Sequence, residues 1–526
     1  MAAGLIGKFA TVGGATMASR VMGFAREAMM AAALGTGPVA DAFYTAFRFP
    51  NVFRRLFAEG AFNIAFVPLY AEATEGEGED GARVFAAQVF AVLATWLIVL
   101  TVAAMAAMPF LVATVLAPGF TDTPDKFDLT VDMTRIMFPY LAAMSLTAML
   151  SGMLNTARRY FLAAIVPVLL NVILVSILAF ALWSGWSERE TGLALAWGVL
   201  VSGGVQLAFL VWGVWRNGQG FRFAWPRATP KVRRLLVLMG PALLTGGVMQ
   251  INILVGTIIA TAQDGANALL NYADRLNQLP LGVIGIAVGV VLLPELSRAL
   301  TAGERDEADR LQNRSLEFAL ALTLPAAAGF LAMGDDIVRL LYRRGDFDEA
   351  DVALTTLALQ AFALGLPAYV ATKVFQPAYF ARQDMRTPFW FSVVMVVTNI
   401  ALSLALFPSL GHVGIALATA VSAWVNLVLL AGGQWRRGDF RPAPATVRRI
   451  ALLIAASFAM AAVILAVEPV LLPFLAGDFL PRAVATLGLI ALGAAVYGGA
   501  ALATGAVDRG LVMAAVRRRG LRRGGA

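Results

Sequence analysis

The stretch that decides the fold opens the chain, where residues 5–33 read LIGKFATVGGATMASRVMGFAREAMMAAA. It is long and apolar enough to cross a membrane, since about 20 residues suffice. Yet it contains Arg20, Arg26 and Glu27. An arginine at the centre of a spanning helix costs about 2.5–3.5 kcal/mol on insertion scales. Charges at such depth usually face a watery cavity, pair with carboxylates and mark a substrate path.

The next apolar stretch, residues 38–73, continues this pattern of charge within the membrane. It contains Arg48, Arg54, Arg55, Asp41 and Glu59. A sixth arginine, Arg275, stands far downstream beside Asp274 in another apolar stretch. An arginine cluster in a cavity favours an anionic cargo. Phosphate is the leading candidate, because the guanidinium group matches it with two parallel hydrogen bonds.

The composition is that of a polytopic membrane protein. The 526 residues are 59% hydrophobic and 14% charged, whereas soluble domains are usually about 45–50% apolar and about 25% charged. The net charge of +8 lies mostly in loops between apolar spans, so topology explains it better than nucleic-acid binding does. With no cysteine and one histidine, the sequence excludes disulfides, thiolate metal sites and zinc sites built on histidine. We expect neither an enzyme nor a cofactor, since no nucleotide-binding or catalytic motif is present.

The apolar spans predict an all-α polytopic membrane protein with about 14 transmembrane helices. Their approximate limits are 5–33, 38–73, 84–117, 130–155, 162–184, 191–215, 233–262, 266–299, 312–334, 352–381, 387–408, 412–434, 448–470 and 482–505. Pro50 and Pro68 are expected to break the second span, and Pro280 and Pro294 the eighth.

Basic residues predict which side of the membrane each loop occupies. Of the 41 Lys and Arg residues, 27 fall in the alternate segments that include both termini, and six fall in the other loops. Because cytoplasmic loops are enriched in Lys and Arg, this asymmetry predicts cytoplasmic N- and C-termini. Lys126 is among the six residues assigned to outside loops.

Weak internal repetition predicts the domain organisation. A shift of 228 residues aligns Pro139 with Pro367 and Asn171 with Asn399, and the sixth and twelfth spans open on similar GLALA and GIALA sequences. We therefore predict an N-terminal six-helix lobe at 1–231, a C-terminal six-helix lobe at 232–440, and two extra helices with a basic cytoplasmic tail at 441–526. An even number of helices gives both halves the same orientation, as in transporters whose repeats are parallel.

Two polar stripes lie at helical spacing, early in the second helix of each half. The first contains Asp41, Tyr44 and Arg48; the second contains Asn267, Asn271, Asp274 and Gln278, with Arg275 beside it. The repeat would place these stripes opposite one another. Alternatively, Arg48 and Arg55 snorkel to the interface, and Arg55 with Glu59 is a purely structural ion pair.

Several motifs carry a resemblance to a known family. They read SRVMGFARE at 19–27, DAF at 41–43, PNVFRRLFAEGAF at 50–62, YADRL at 272–276, LP at 293–294 and YFARQD at 379–384. Together they resemble the MurJ (MviN) family of lipid II flippases, over roughly residues 1–440. This family is part of the multidrug/oligosaccharidyl-lipid/polysaccharide exporter superfamily.

The resemblance implies two six-helix lobes around a central cavity, with the last two helices bordering a groove for a lipid tail. The cargo would be undecaprenyl-diphosphate-linked peptidoglycan precursor, lipid II, flipped from the inner to the outer leaflet of the bacterial cytoplasmic (inner) membrane by alternating access. Its expected partners are lipid II, membrane lipids and the cell-wall synthesis machinery that serves cell wall biogenesis and cell shape, and no nucleic acid.

The family's site residues carry over to this sequence. The substrate-binding arginines match Arg20, Arg26, Arg54 and Arg275, and the essential acid matches Asp41. Glu27, Asp41, Glu59 and Asp274 are expected to support them, with Asp41 and Glu59 holding the arginines when the site is empty. Some relatives are similar to sodium-coupled transporters with a carboxylate in the seventh helix. Here that span offers Gln250 and Asn252, so the sequence argues against a sodium site although Asp384 is present.

Three alternatives stay open from sequence. A flippase for another polyprenyl-diphosphate glycan would need the same arginines. A cation or drug antiporter of the same superfamily would need acidic rather than basic residues in its cavity, and the excess of arginines argues against it. A non-transporting scaffold of the cell-wall machinery would need none of them.

Overall fold

The computed structural model describes residues 2–55, 62–221 and 224–507, and its regular secondary structure across them is entirely helical. The helices are α1 (Ala2–Leu34), α2 (Pro38–Arg54), α3 (Phe62–Ala106), α4 (Met108–Leu111), α5 (Pro124–Met137), α6 (Tyr140–Thr156), α7 (Tyr160–Ser184), α8 (Glu188–Arg216), α9 (Pro230–Ala260), α10 (Ala266–Thr301), α11 (Arg305–Tyr342), α12 (Glu349–Ala381), α13 (Arg386–Leu410), α14 (His412–Arg437), α15 (Pro444–Leu475) and α16 (Phe479–Ala503). The predicted all-α class is confirmed.

Ten helical segments in the described part of the chain are long and apolar enough to cross a membrane. They correspond to ten of the predicted spans, the third to the sixth and the ninth to the fourteenth. The other four predicted spans coincide with α1, α2, α9 and α10. Charged residues, or the limits of what the structure describes, leave shorter apolar stretches there, so the count of fourteen stays a prediction.

The helices are not broken at the prolines where the sequence predicted a break. Pro50, Pro68, Pro280 and Pro294 all lie inside continuous helices. Spanning helices tolerate proline, because neighbouring groups satisfy the freed backbone carbonyls. The non-helical backbone lies instead at Gly78 in α3, where φ is +74°, and at a second position in α11.

The chain forms two compact units. The first contains residues up to Asn271 together with Arg344–Asp351, and the second contains Tyr272–Arg343 and the chain from Val352 onward. Helix α10 therefore contributes its first turns to one unit and the remainder to the other. This division concerns packing rather than the internal repeat, so the predicted lobes at 1–231 and 232–440 stay a prediction.

The first unit packs around an aromatic core. Phe62, Phe66 and Tyr70 on α3 stack along the helix with centroid separations of 5.1 and 5.5 Å, and Phe85 stacks on Phe66 at 5.9 Å. These rings are almost fully buried among residues of α6, α8 and α9. Offset stacked rings add packing energy beyond the area they bury, so this core fixes how α3 sits among its neighbours.

Within the first unit, loops predicted to share a side of the membrane contact one another. In the first unit the amide of Asp346 donates to the carbonyl of Ala32 at 3.1 Å, and both lie at predicted outer ends. At predicted cytoplasmic ends, Arg234 of α9 pairs with Glu72 of α3 at 2.9 Å. These contacts agree with the predicted assignment of alternate loops to the same side of the membrane. The cytoplasmic location of the termini stays a prediction.

Candidate functional site

Arg26 is buried at the packed face of α1, with 8% of its surface exposed. Its Nη1 donates to Oδ1 of Asn171 on α7 at 3.0 Å, and its Nη2 pairs with Oε1 of Glu27 at 2.5 Å. The amide of Asn171 is itself fixed, since its Nδ2 donates to the carbonyls of Ser19 and Pro167. Nε of Arg26 is buried without a hydrogen-bond partner in the described residues.

Glu27 is the carboxylate that joins three helices around Arg26. It is completely buried. Besides Arg26, it accepts a hydrogen bond from the hydroxyl of Tyr44 on α2 at 2.7 Å and one from Nδ2 of Asn271 on α10 at 3.2 Å. A buried ion pair is tolerated only when further hydrogen bonds satisfy its remaining oxygens. In Glu27, Oε1 binds Arg26 and Oε2 accepts both further hydrogen bonds.

Asp41 is the centre of a second buried cluster in the same unit. Its Oδ2 pairs with Nζ of Lys126 on α5 at 2.6 Å, and the same Nζ contacts Oδ1 of Asp264 at 2.9 Å. Lys126 is 3% exposed, and its ammonium group lies 4.0 Å from the centre of the Phe120 ring. The lysine is thus held by two carboxylates and an aromatic face.

Asp41 also caps the start of α10 from outside that helix. Its carboxylate accepts hydrogen bonds from the amides of Gly265, Asn267 and Ala268 at 3.3, 2.9 and 3.3 Å. The first amides of a helix have no partner within the helix, and an anion there also meets the positive end of the helix dipole. The sequence suggested that Asp41 holds an arginine. Among the residues the structure describes, its partners are instead a lysine and a helix end.

The remaining predicted site residues lie in several environments. Arg20 on α1 is exposed and makes no ion pair within the described part of the chain. Arg54 is half-buried at the end of α2, where its Nε donates to Oδ1 of Asn51 at 2.8 Å. Arg275 and Asp274 are half-buried on α10 in the second unit, and Asp274 accepts a hydrogen bond from Gln278. Glu59 lies outside the described residues.

Sequence reasoning missed two residues of these clusters. Lys126 was assigned to an outside loop, whereas it lies buried on α5. Asn171 was noted only as a member of the repeat, whereas it holds the Arg26 guanidinium. The available signal was a polar amide in an otherwise apolar span, the same signal that drew attention to Asn267 and Asn271.

Asp384, the acid considered for a sodium site, and Asp264, which follows the seventh predicted span, both have basic partners. Asp264 contacts Lys126, and Oδ2 of Asp384 accepts from Nη1 of Arg437 at 2.7 Å. Asp384 lies in the loop before α13. The hydrogen bond from Arg437, together with one from the amide of Thr387, lowers its pKa to about 2. Within the described residues, no group of three or more acidic, histidine or cysteine side chains is arranged to hold a metal ion.

Membrane-length helices, together with buried basic side chains held by carboxylates, define the class as a polytopic membrane protein of the transporter type. The family model described as "Lipid II flippase MurJ" matches residues 30–485. The chain belongs to this family, which confirms the resemblance read from the motifs at 19–27 and 50–62.

Curated relatives are similar in sequence to this chain over most of its length. A "Probable lipid II flippase MurJ" from Rhizobium meliloti (strain 1021) is 53% identical over 517 residues, which cover 98% of this chain and 96% of the relative. A "Lipid II flippase MurJ" from Burkholderia cenocepacia is 36% identical over 457 residues, covering 86% of this chain and 88% of the relative.

Solved structures share the fold. A structure titled "Lipid II flippase MurJ, inward closed conformation" aligns with a TM-score of 0.77 at 23% identity, covering 97% of this chain and 99% of that one. An inward-facing multidrug resistance MATE family transporter of the MOP superfamily aligns with a TM-score of 0.66 at 13% identity, covering 80% and 94%. At these identities the alignments establish the fold alone.

Proposed function

We propose that this chain moves lipid II from the inner to the outer leaflet of the bacterial cytoplasmic membrane by alternating access. Its membership of the lipid II flippase family supports the substrate. The structural observation that carries the proposal is the buried guanidinium of Arg26, which is held by Glu27 and whose Nε has no hydrogen-bond partner among the described residues. The protein thereby stabilises a cation within the membrane where an anionic cargo would meet it.

The diphosphate of lipid II is the group that the arginines would bind. Arg20 is exposed and without an ion-pair partner among the described residues, and Arg26 is preorganised by Asn171 and Glu27. Arg54 is held by Asn51. Guanidinium groups fixed in this way lose little conformational freedom on binding, and each presents a planar fork that matches phosphate oxygens. Arg275 completes the proposed substrate-binding set on the strength of the family resemblance.

Glu27 would exchange partners during transport. When the site is empty, its carboxylate neutralises Arg26. When the diphosphate takes over that role, the hydroxyl of Tyr44 and the amide of Asn271 still satisfy Glu27. The carboxylate would then remain solvated by protein groups, which lowers the cost of releasing the arginine.

The finer features of this function are proposals as well. The chain would act as a transporter without catalysing a covalent reaction, with both termini in the cytoplasm. The cell-wall synthesis machinery would use the lipid II that it delivers. The driving force would include the membrane potential, since moving one elementary charge through 100 mV is worth about 2.3 kcal/mol.

The test is lipid II translocation by the purified full-length chain in vesicles, with and without an imposed potential. We expect Arg26→Ala and Arg275→Ala each to slow translocation about tenfold or more, because a hydrogen bond to a charged group contributes about 1.5–3 kcal/mol. Arg26→Lys keeps the charge but loses the fork, so its rate should be intermediate.

The matched control is Arg189→Ala, which removes an exposed arginine from the first turn of α8. It should translocate lipid II at the unsubstituted rate. Unsubstituted rates for both Arg26→Ala and Arg275→Ala would refute the proposal.

A further inference from the structure

Three carboxylates lie near one another where α11 packs against α15 in the second unit. Asp336 on α11 is buried, with 3% of its surface exposed. Asp335 on the same helix and Glu468 on α15 are partly exposed, and both act on Asp336 as neighbouring like charges. Nothing in the proposed transport cycle uses these residues.

The cluster has too little positive charge for its acids. Within the described residues, Arg339 is the one basic side chain that acts on Asp336, and it is paired with Asp335 one turn before it. Oδ2 of Asp336 is buried without a hydrogen-bond partner among the described residues. Glu468 likewise makes no ion pair in that part of the chain. Arg339 also acts on Glu468, so one guanidinium group serves three carboxylates.

The surroundings of Asp336 are apolar and its helix is broken nearby. The buried side chains of Met333, Met460 and Ile464 form the core here. At Met333 the backbone leaves the helical conformation, with φ −130° and ψ 28°, and the carbonyl of Leu331 accepts from Nε2 of Gln360 on α12 at 3.1 Å. The carbonyl of Leu331 near the break thus has a hydrogen-bond donor, whereas Oδ2 of Asp336, three residues after Met333, has none among the described residues.

An ionised carboxylate in such a place is costly. Burying an unpaired charge costs far more than burying a neutral polar group, and the usual remedy is neutralisation. Two carboxylates that share a site resolve their repulsion by holding one proton between them. A bound metal ion would be another remedy, but the described residues contain no group of ligands arranged for one.

We propose that Asp336, with Glu468 as its neighbouring acid, forms a proton-binding pair that takes up one proton as the pH falls from 8 to 5. Proton binding removes the repulsion between α11 and α15 and so tightens their contact. The predicted topology places both residues near the outer ends of their spans, so the proton would come from the external side. The inference does not depend on the identity of the transported lipid.

The experiment is thermal unfolding of the full-length chain in nanodiscs at pH 5 and pH 8. Asn at position 336 is neutral at both pH values, whereas the native pair holds its proton only at the lower one. We expect Asp336→Asn to raise Tm at pH 8 by about 2 °C or more and to leave it nearly unchanged at pH 5. Glu468→Gln should behave in the same way.

Asp384→Asn is the matched control, because Asp384 has a pKa of about 2 and is ionised at both pH values. Its effect on Tm should be the same at pH 5 and pH 8. A second readout is the infrared band of a protonated carboxylic acid at pH 5.5, where ordinary carboxyls, with pKa about 4, are ionised. The band should be weaker in Asp336→Asn than in the unsubstituted chain.

Two outcomes would overturn the proposal. One is an effect of Asp336→Asn on Tm that is equal at both pH values. The other is a rise in Tm when sodium chloride replaces N-methylglucamine chloride, present in the unsubstituted chain and absent from Asp336→Asn, which would assign the site to a metal cation. If Asp336→Asn does not fold, the Tm of Glu468→Gln at the two pH values decides the question.

Discussion

Arg26 and Lys126 show how single residues keep a charge within a membrane protein. Each is buried beside a carboxylate, and each carboxylate has further hydrogen-bond donors. Such a pair gains little net stability over an apolar replacement, but removing one partner leaves the other charge buried and uncompensated. The residues around Asp41 allow this asymmetry to be measured.

At the scale of single residues, we predict that Asp41→Asn is more destabilising than the double substitution that removes both charges of the Asp41–Lys126 pair. Lys126 would keep only Asp264, whose side chain is largely exposed, so the loss should be about 3–5 kcal/mol. In the double variant Asp41→Asn/Lys126→Met no buried charge remains, and part of the loss should return. Thermal unfolding of the single and double variants measures both the loss of stability and its partial recovery. A double variant less stable than Asp41→Asn would contradict the expectation.

At the scale of elements, the first unit is closed by segments that are distant in sequence. The start of α10 is capped by Asp41 of α2, and the segment 344–351 lies against the end of α1, where Thr36 donates to Asp351. Gly345 permits this approach. It has φ +59°, and a Cβ built there would lie 2.0 Å from the carbonyl oxygen of Ala32.

We predict that Gly345→Ala disrupts this contact, whereas Gly303→Ala does not disrupt its own surroundings. Gly303 has φ +77° with nothing within 4 Å of a built Cβ. Its substitution should cost only the strain of the left-handed conformation, about 1–2 kcal/mol. Gly345→Ala carries the same strain plus a backbone clash, so its total should exceed about 3 kcal/mol. Comparing the thermal unfolding of the two variants isolates the clash, and equal losses would show that the segment moves away freely.

At the scale of the whole molecule, the alternation of loops rests on basic residues and on the contacts within each unit. Glu72 and Glu77 of α3 pair with Arg234 and Lys231 of α9, all at ends predicted to be cytoplasmic. Contacts of this kind hold loops on a common side but do not say which side it is.

We predict that a cysteine replacing Glu75 is labelled by a membrane-impermeant maleimide only in opened cells, while one replacing Glu190 is labelled in intact cells. The chain has no cysteine, so each single variant carries one reactive thiol. Both positions are exposed. The expectation follows from the excess of Lys and Arg in the segments predicted to be cytoplasmic. The reverse labelling pattern would invert the proposed orientation.

The sequence by itself determined the class, the family and most of the spans, because membrane-length apolar runs and adjacent motif residues are local properties of the chain. It also placed Arg26 next to Glu27. Only the tertiary structure decided that Asn171, 145 residues away, holds Arg26, that Lys126 is buried against Asp41, and that Asp336 is buried with Glu468 as a neighbouring charge. The physical reason is that spacing fixes which residues share a helix face, whereas the rotation and register of packed helices decide which faces meet. Those depend on side-chain packing across the whole unit, and no local pattern encodes them.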